Sequence, residues 1–483
     1  MQDIQRLIDA HDGLGLAEQV RQGEVHPREL VEAVIQRLDA VEPALNAVSE
    51  RLYDHARAAA ELPLDPAAPF AGVPTLAKDL FTPLAEARMT NGSLALGEAR
   101  PGFDSELVMR LRKAGCLFVG TTTSPEFGTS YTTESRRFGA TTNPWNTAHS
   151  AGGSSGGAAA LVAARAVPFA QGNDGGGSLR VPASCCGIFG FKPSRGLMPA
   201  GPVMGEGWAG LGTPHAMSLS VRDNAALLDA TAGADLGAPY AAPAYDRPFP
   251  SWLEHDPRPL RIALIENPSP WANAPEALAA VRHTAQLCES LGHSVVPAAL
   301  PVDLSAFFDQ VFDIIGPSTR HYINVLGQQR GAAVREEELE PITRILLRER
   351  GDIPAYRYTA AVEAVHALGR TLAGMLTVFD VILSPTTTRE PPPLGELRVE
   401  DDQTSLASFI ELSHGYGPYT ALFNASGQPA MSVPLYWTAQ GLPMGSHFAG
   451  RFGEEGTLLC LAAQLERAQP WAGRVPGLSA VGR

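Results

Sequence analysis

The chain predicts an α/β protein built as one large domain, and three observations carry that expectation. Glycine and proline are both frequent, 48 and 40 of 483 residues, which favours many strand–turn–helix transitions over a helical bundle. Residues 261–265, 276–291 and 294–296 have the pattern of a strand–helix–strand unit. A hydrophobic fraction of 45% supplies a large core and argues against intrinsic disorder. Length alone would allow three domains, but single α/β domains grow large. The division expected is an N-terminal helical layer over 1–60 and a main domain over 61–483, with the chemistry concentrated at 71–200.

The elements follow in order. Within 14–60, Leu30, Val31, Val34, Ile35, Leu38 and Val41 recur at helical spacing, and Pro27 suits a first helical turn. Val73–Leu76 is a short apolar run, Glu106–Lys113 has a helical pattern, and Cys116–Val119 suits a buried strand. Residues 120–150 are rich in Thr, Ser, Gly and Asn with little periodicity, and a loop of that length inside a domain is usually functional. Two glycine clusters, Gly152–Gly157 and Gly172–Gly177, flank a helix over Ala158–Arg165 and a strand over Ala166–Ala170. Residues 234–258 suggest a surface crossing, and Val381–Leu383 a further strand.

Composition removes several classes of function. The formal net charge is −14 and no Lys/Arg-rich run occurs, so the counterion displacement that nucleic-acid binding needs has no basic patch to drive it. Five cysteines form no C-x-x-C pair, which disfavours a disulfide framework or zinc site and predicts buried free thiols. The histidines show no H-E-x-x-H spacing, and no Gly-Lys-Ser/Thr follows either glycine cluster, so neither a metal nor a phosphate loop is expected. Met1–Ala10 lacks an apolar signal core, and no window approaches 18 apolar residues. The expectation is a cytoplasmic protein with no cofactor, no metal, no nucleic-acid partner and no membrane span, with a homodimer as the commonest assembly.

Lysine usage is the first chemical signal. Among 37 basic residues only Lys78, Lys113 and Lys192 are lysine. Burial lowers a lysine pKa until the amine is neutral and basic, which arginine cannot do. Lys78 ends an apolar run and suits that role, Lys113 suits a solvated helix end, and Lys192 a structural position. The second signal is Gly175-Gly176-Gly177-Ser178, where glycines can turn several N–H groups toward one point, the arrangement an oxyanion needs. By itself this loop equally suits a tight turn with Ser178 as helix cap. The first cluster contains a formal G-x-S-x-G around Ser154, the signature of a nucleophile elbow. An elbow needs an apolar strand before it, and Asn146–Ser150 is polar.

Taken together, three stretches resemble the amidase signature family: Gly72-Val73-Pro74 with Lys78-Asp79, then Gly152-Gly153-Ser154-Ser155-Gly156-Gly157, then Asp174 through Pro182. Agreement continues through Cys186-Gly187-Ile188 and Gly190-Phe191-Lys192-Pro193, with weaker echoes at Asn143–Asn146, Ser384–Thr386 and Asn424–Ala430. The resemblance implies a large mixed β-sheet covered by helices on both faces. It also implies an enzyme that hydrolyses carbon–nitrogen amide bonds of a small molecule. By position, Lys78 corresponds to the family's lysine, Ser154 to its bridging serine after a cis peptide bond, and Ser178 to its nucleophile. The amides of Gly175, Gly176, Gly177 and Ser178 correspond to its oxyanion hole, and Asp174 and Arg180 to structural positions.

Two departures stand out: Ala151 replaces a common proline, and Gly175 a common Thr or Ile, which would loosen the loop or widen the site. Asp79, next to Lys78, would favour the charged ammonium unless its side chain turns away. Residues 127–135 and 305–360 are expected to line the substrate pockets. The resemblance leaves open the amidase subunit of a glutaminyl-tRNA amidotransferase and a non-catalytic scaffold of the same fold, and it does not name the amide.

Overall fold

A computed structural model describes residues 2–481. Its centre is a mixed eight-stranded sheet. In spatial order the strands are Ser294–Pro297, Arg261–Leu264, Val381–Pro385, Pro443–Ala449, Ala430–Trp437, Phe189–Lys192, Thr213–Ser218 and Phe169–Asp174. The first three run parallel, and every later pairing is antiparallel. Helix Pro275–Ser290 makes the crossover between Arg261–Leu264 and Ser294–Pro297, as the strand–helix–strand pattern predicts. Helices cover the sheet on both faces, as the α/β expectation holds.

A smaller sheet, ordered Val48–Arg51, Leu117–Thr122, Pro74–Lys78, abuts the edge strand Phe169–Asp174. Thr75 Oγ1 donates to Phe169 O at 3.0 Å, and the Lys78 N–H donates to Gln171 Oε1 at 2.8 Å. These two bonds lock the end of the Lys78 strand beside the end of the Phe169–Asp174 strand. That junction positions the site.

Differences from the sequence expectation are local. Residues 1–60 are not helical throughout: Val48–Arg51 pairs antiparallel with Leu117–Thr122. Four residues between two helices are too short to show a period of two, so only their partner reveals them as a strand. The strand expected at Ala166–Ala170 begins later, at Phe169, because Val167-Pro168 leads into it and proline cannot donate to a ladder. One apolar cluster runs from Ile8, Leu30 and Leu38 through Phe118, Leu161 and Phe191 to Leu461 and Ala480, so the expected boundary near residue 60 does not divide the core. All five cysteines are free and buried. No helix among the described residues is long and apolar enough to cross a membrane.

Candidate active site

Lys78 is the last residue of its strand and is fully buried. Its Nζ lies 2.7 Å from Ser154 Oγ and 2.7 Å from Asn173 Oδ1. Burial pushes the lysine pKa well below its ordinary value, against a weaker upward pull from the Asp174 carboxylate. Burial therefore favours the neutral amine, held between Asn173 Oδ1 and the Ser154 hydroxyl. Asp79 does not interfere: its carboxylate accepts from the Thr90 N–H at 2.6 Å and from Thr90 Oγ1 at 2.5 Å, facing away from Nζ.

Ser154 follows a cis Gly153–Ser154 peptide, as the resemblance implies. The segment is walled in tightly. A Cβ on Gly153 would come within 2.6 Å of Thr132 O, and one on Gly128 within 3.2 Å of Ser154 Oγ. Ser154 meets a lysine rather than a histidine, and the strand before it, Asn146–Ser150, pairs only with Thr142–Asn143 outside the main sheet. The nucleophile-elbow pattern is therefore coincidental.

Ser178 stands at the end of the glycine loop, just before helix Arg180–Cys186, and is 5% exposed. Its carbonyl accepts from the Ser155 N–H at 3.3 Å, which brings the two serine segments side by side. Among the described residues, no hydrogen bond joins the Ser154 and Ser178 hydroxyls, whereas Ser154 Oγ meets Lys78 Nζ.

The glycine loop is held by a buried ion pair. Arg180 meets Asp174 through two bonds of 2.9 Å, and both side chains are wholly inaccessible. Arg180 also donates to Thr420 O and Asn424 Oδ1 and contacts His447 Nε2. Asp174 accepts further from the Gly177 N–H at 2.7 Å, the Leu179 N–H at 3.1 Å and Asn424 Nδ2 at 2.9 Å. Burial alone would raise the Asp174 pKa, but the Arg180 guanidinium and these donors hold it below the usual carboxylate range.

These bonds decide which amides can serve an oxyanion. The Gly177 N–H is engaged by Asp174, so this glycine is not an available donor here, contrary to the expectation for all three. The cause is peptide geometry: C=O and N–H of one trans peptide point in opposite directions. Tyr131 Oη (2.8 Å) and Thr420 Oγ1 (2.6 Å) both donate to Gly176 O on one side, so the Gly177 N–H must point to Asp174 on the other. By the same rule the Val181 N–H, donating to Gly177 O at 2.7 Å, aims the Ser178 N–H away from the helix. Among the described residues, no protein acceptor is bonded to the amides of Gly175, Gly176 or Ser178.

Gly175 neither loosens the loop nor widens the site. A Cβ there would lie 2.7 Å from the ring of Trp208, which fills the space a Thr or Ile would take. Sequence reading missed Trp208, Gln171 and Asn173 as parts of the site. None of the three had a local signal: Gln171 and Asn173 lie in a strand, Phe169–Asp174, that is half polar, and Trp208 lies in a loop. Of the expected pocket regions, Tyr131 reaches the loop directly. Phe308 and Phe312 approach only through His414, which packs on Tyr131 with ring centroids 5.2 Å apart. Lys192 is buried, with Nζ donating to Pro193 O at 2.7 Å, and Lys113 is exposed, in keeping with their structural and solvated readings.

A buried lysine and two serines beside a glycine loop, on a mixed sheet covered by helices, define a hydrolase of carbon–nitrogen bonds. Comparison with known proteins agrees. The family model described as Amidase matches residues 29–459. A 6-aminohexanoate-cyclic-dimer hydrolase of Paenarthrobacter ureafaciens is 37% identical over 481 residues, covering 97% of this chain and 96% of the relative. The solved structure of a 6-aminohexanoate cyclic dimer hydrolase complexed with substrate superposes with a TM-score of 0.92 at 36% identity, covering 97% of this chain and 99% of that one. A bacterial aryl acylamidase of the amidase signature family superposes at 0.87 with 29% identity, covering 96% and 97%. The chain belongs to the amidase family and hydrolyses carbon–nitrogen amide bonds.

Proposed function

We propose that hydrolysis proceeds through an acyl-enzyme on Ser178, with Ser154 and Lys78 as proton relay. The observation that carries this reading is the buried Lys78 amine, its pKa lowered by burial, at 2.7 Å from Ser154 Oγ. An amide resists hydrolysis because its amine leaves only once protonated, so the enzyme must both strengthen a nucleophile and deliver a proton. Lys78 takes the Ser154 proton as Ser154 takes that of Ser178. The Ser178 oxygen attacks the carbonyl carbon, and the amides of Gly175, Gly176 and Ser178 receive the negative oxygen, each such donor typically worth ~3 kcal/mol. Ser154 returns a proton to the departing nitrogen. Water, deprotonated by the same relay, then releases the acid and restores Ser178. The open Ser154–Ser178 link closes by rotation of the serine side chains when substrate arrives, since catalytic hydrogen bonds often tighten only in the complex.

The substrate proposed is a small neutral amide, linear or cyclic, in line with the relatives named for cyclic-dimer hydrolysis. A glutaminase subunit would have to recognise the ammonium and carboxylate of glutamine. The charged pair beside the loop, Asp174–Arg180, is inaccessible and engaged internally. Five unpaired thiols support a reducing, cytoplasmic setting. An active-site serine probe followed by peptide mapping tests the central claim. Label on Ser178 is the expected result, and label elsewhere or none removes it.

A further inference from the structure

A Cβ added to the oxyanion loop would meet five side chains: Trp208 at Gly175, Tyr131 and Ala421 at Gly176, and Thr420 and Val181 at Gly177. Four of them are buried. Trp208 is half-buried, so it is the one of the five that keeps surface open to something outside the protein.

The backbone under this ring is unusual. Trp208 and Ala209 both adopt left-handed conformations, with φ of 52° and 51°. Non-glycine residues rarely do so, and the strain must be offset by the surroundings. The offset is visible. Leu211 N–H donates to Trp208 O at 3.2 Å, Gly212 N–H to Gly207 O at 3.1 Å, and Arg195 Nε to Gly210 O at 2.8 Å. Asn424 Nδ2 donates to Leu211 O at 3.0 Å and also to Asp174, the anchor of the oxyanion loop. One side-chain amide thus ties the Trp208 turn and the oxyanion loop to a common point. The missing Cβ at Gly175 completes the fit, because any other residue there would collide with the indole.

Resting on the amidase reading above, we propose that Trp208 is a specificity-determining residue, the aromatic wall against which the substrate lies at the oxyanion loop. An indole face offers apolar contact and no charge. The ring also occupies the volume beside the reacting carbonyl where a branch on the substrate would sit. The site therefore favours neutral amides whose chain next to the carbonyl is slender, an unbranched methylene chain or a flat ring, and rejects branched ones.

The test compares hexanoyl and pivaloyl para-nitroanilides with wild-type protein, Trp208→Phe, Trp208→Ala, Gly175→Ala and the Gly175→Ala/Trp208→Ala double variant. Trp208→Ala should raise the pivaloyl-to-hexanoyl ratio of kcat/KM by about tenfold or more, the scale on which one pocket group discriminates. Trp208→Phe should raise it less. Gly175→Ala should lose activity that the double variant partly regains, because removing the indole removes the collision. A ratio within twofold of wild type in folded, active Trp208→Ala protein overturns the proposal, as does strict additivity of the two substitutions. If wild-type protein cleaves neither anilide, the same ratio is measured as Kd by calorimetry on the Ser178→Ala background. An amidase reading that fails by probe labelling is thereby separated from a wall that fails to discriminate.

Discussion

Lys78 Nζ and Asn173 Oδ1 are 2.7 Å apart at the ends of two strands that belong to different sheets. The Asn173 amide group also donates to Leu80 O at 2.8 Å, so its oxygen is oriented toward the lysine and cannot turn away. A neutral acceptor takes one N–H of Lys78 while Nζ meets Ser154 Oγ, without adding the negative charge that would hold the ammonium form.

Asn173→Asp should therefore disable the base without removing it. A carboxylate at that position raises the Lys78 pKa, so activity at pH 7 should fall by about 100-fold or more and return as pH rises. A pH profile of kcat for the variant checks this. An unshifted acidic limb would show that Asn173 does not govern the protonation of Lys78.

Replacing Lys78 itself, by Ala or by the permanently charged Arg, should cost at least ~10³-fold in kcat with the fold intact. Wild-type activity should rise with pH through the lowered pKa of Lys78 and stay level toward the ordinary lysine range, because deprotonation creates the base. Steady-state rates between about pH 5 and 9 measure both.

Tyr131→Phe removes one of the two donors to Gly176 O while Thr420 Oγ1 keeps the other. The expected cost is about 1 kcal/mol, near fivefold in kcat, since one neutral hydrogen bond is lost and the carbonyl remains satisfied. A Tyr131→Phe/Thr420→Val double variant frees the peptide to rotate and should lose far more than the product of the single effects.

Arg180→Ala leaves the wholly buried Asp174 without its counter-charge, and breaking such a pair typically costs ~3–5 kcal/mol. Urea denaturation should show that loss. Asp174→Asn keeps most of the shape but weakens its hold on the Gly177 and Leu179 amides, so catalysis should suffer along with stability.

Lys192 supplies a stability test. Burial first, then the Arg180 charge, lowers its pKa from 10.5 to about 7. Between those values the unfolded chain holds a proton that the folded chain has released, so the unfolding free energy contributed by this group grows as pH rises. Lys192→Met should flatten the gain in urea midpoint between about pH 7 and 8.5, leaving the part due to Lys78, whose shift has the same sign.

The order of elements was legible wherever the residues themselves carry a period or a terminus. Pro275–Ser290 and Glu106–Lys113 fall where their apolar spacing places them. Val48–Arg51 was hidden because a four-residue strand is defined by its partner, here Leu117–Thr122, 69 positions further on. The site divides the same way. Lys78, Ser154 and Ser178 were readable because their chemistry and glycine-rich surroundings are local. Asn173 was overlooked because an asparagine inside a strand signals nothing until the lysine arrives from another sheet.

The sequence by itself determined which groups are available for the proposed chemistry and in what order: one retained lysine after an apolar run, two serines, and glycines able to bare their amides. Only the tertiary structure decided that the lysine is buried and its pKa lowered, that Gly177 serves Asp174 while Gly175 and Gly176 remain open, and that Trp208 lies where Gly175 lacks a side chain. Solvent exclusion and hydrogen-bond direction are set by groups far away in the chain, so no local pattern of residues encodes them.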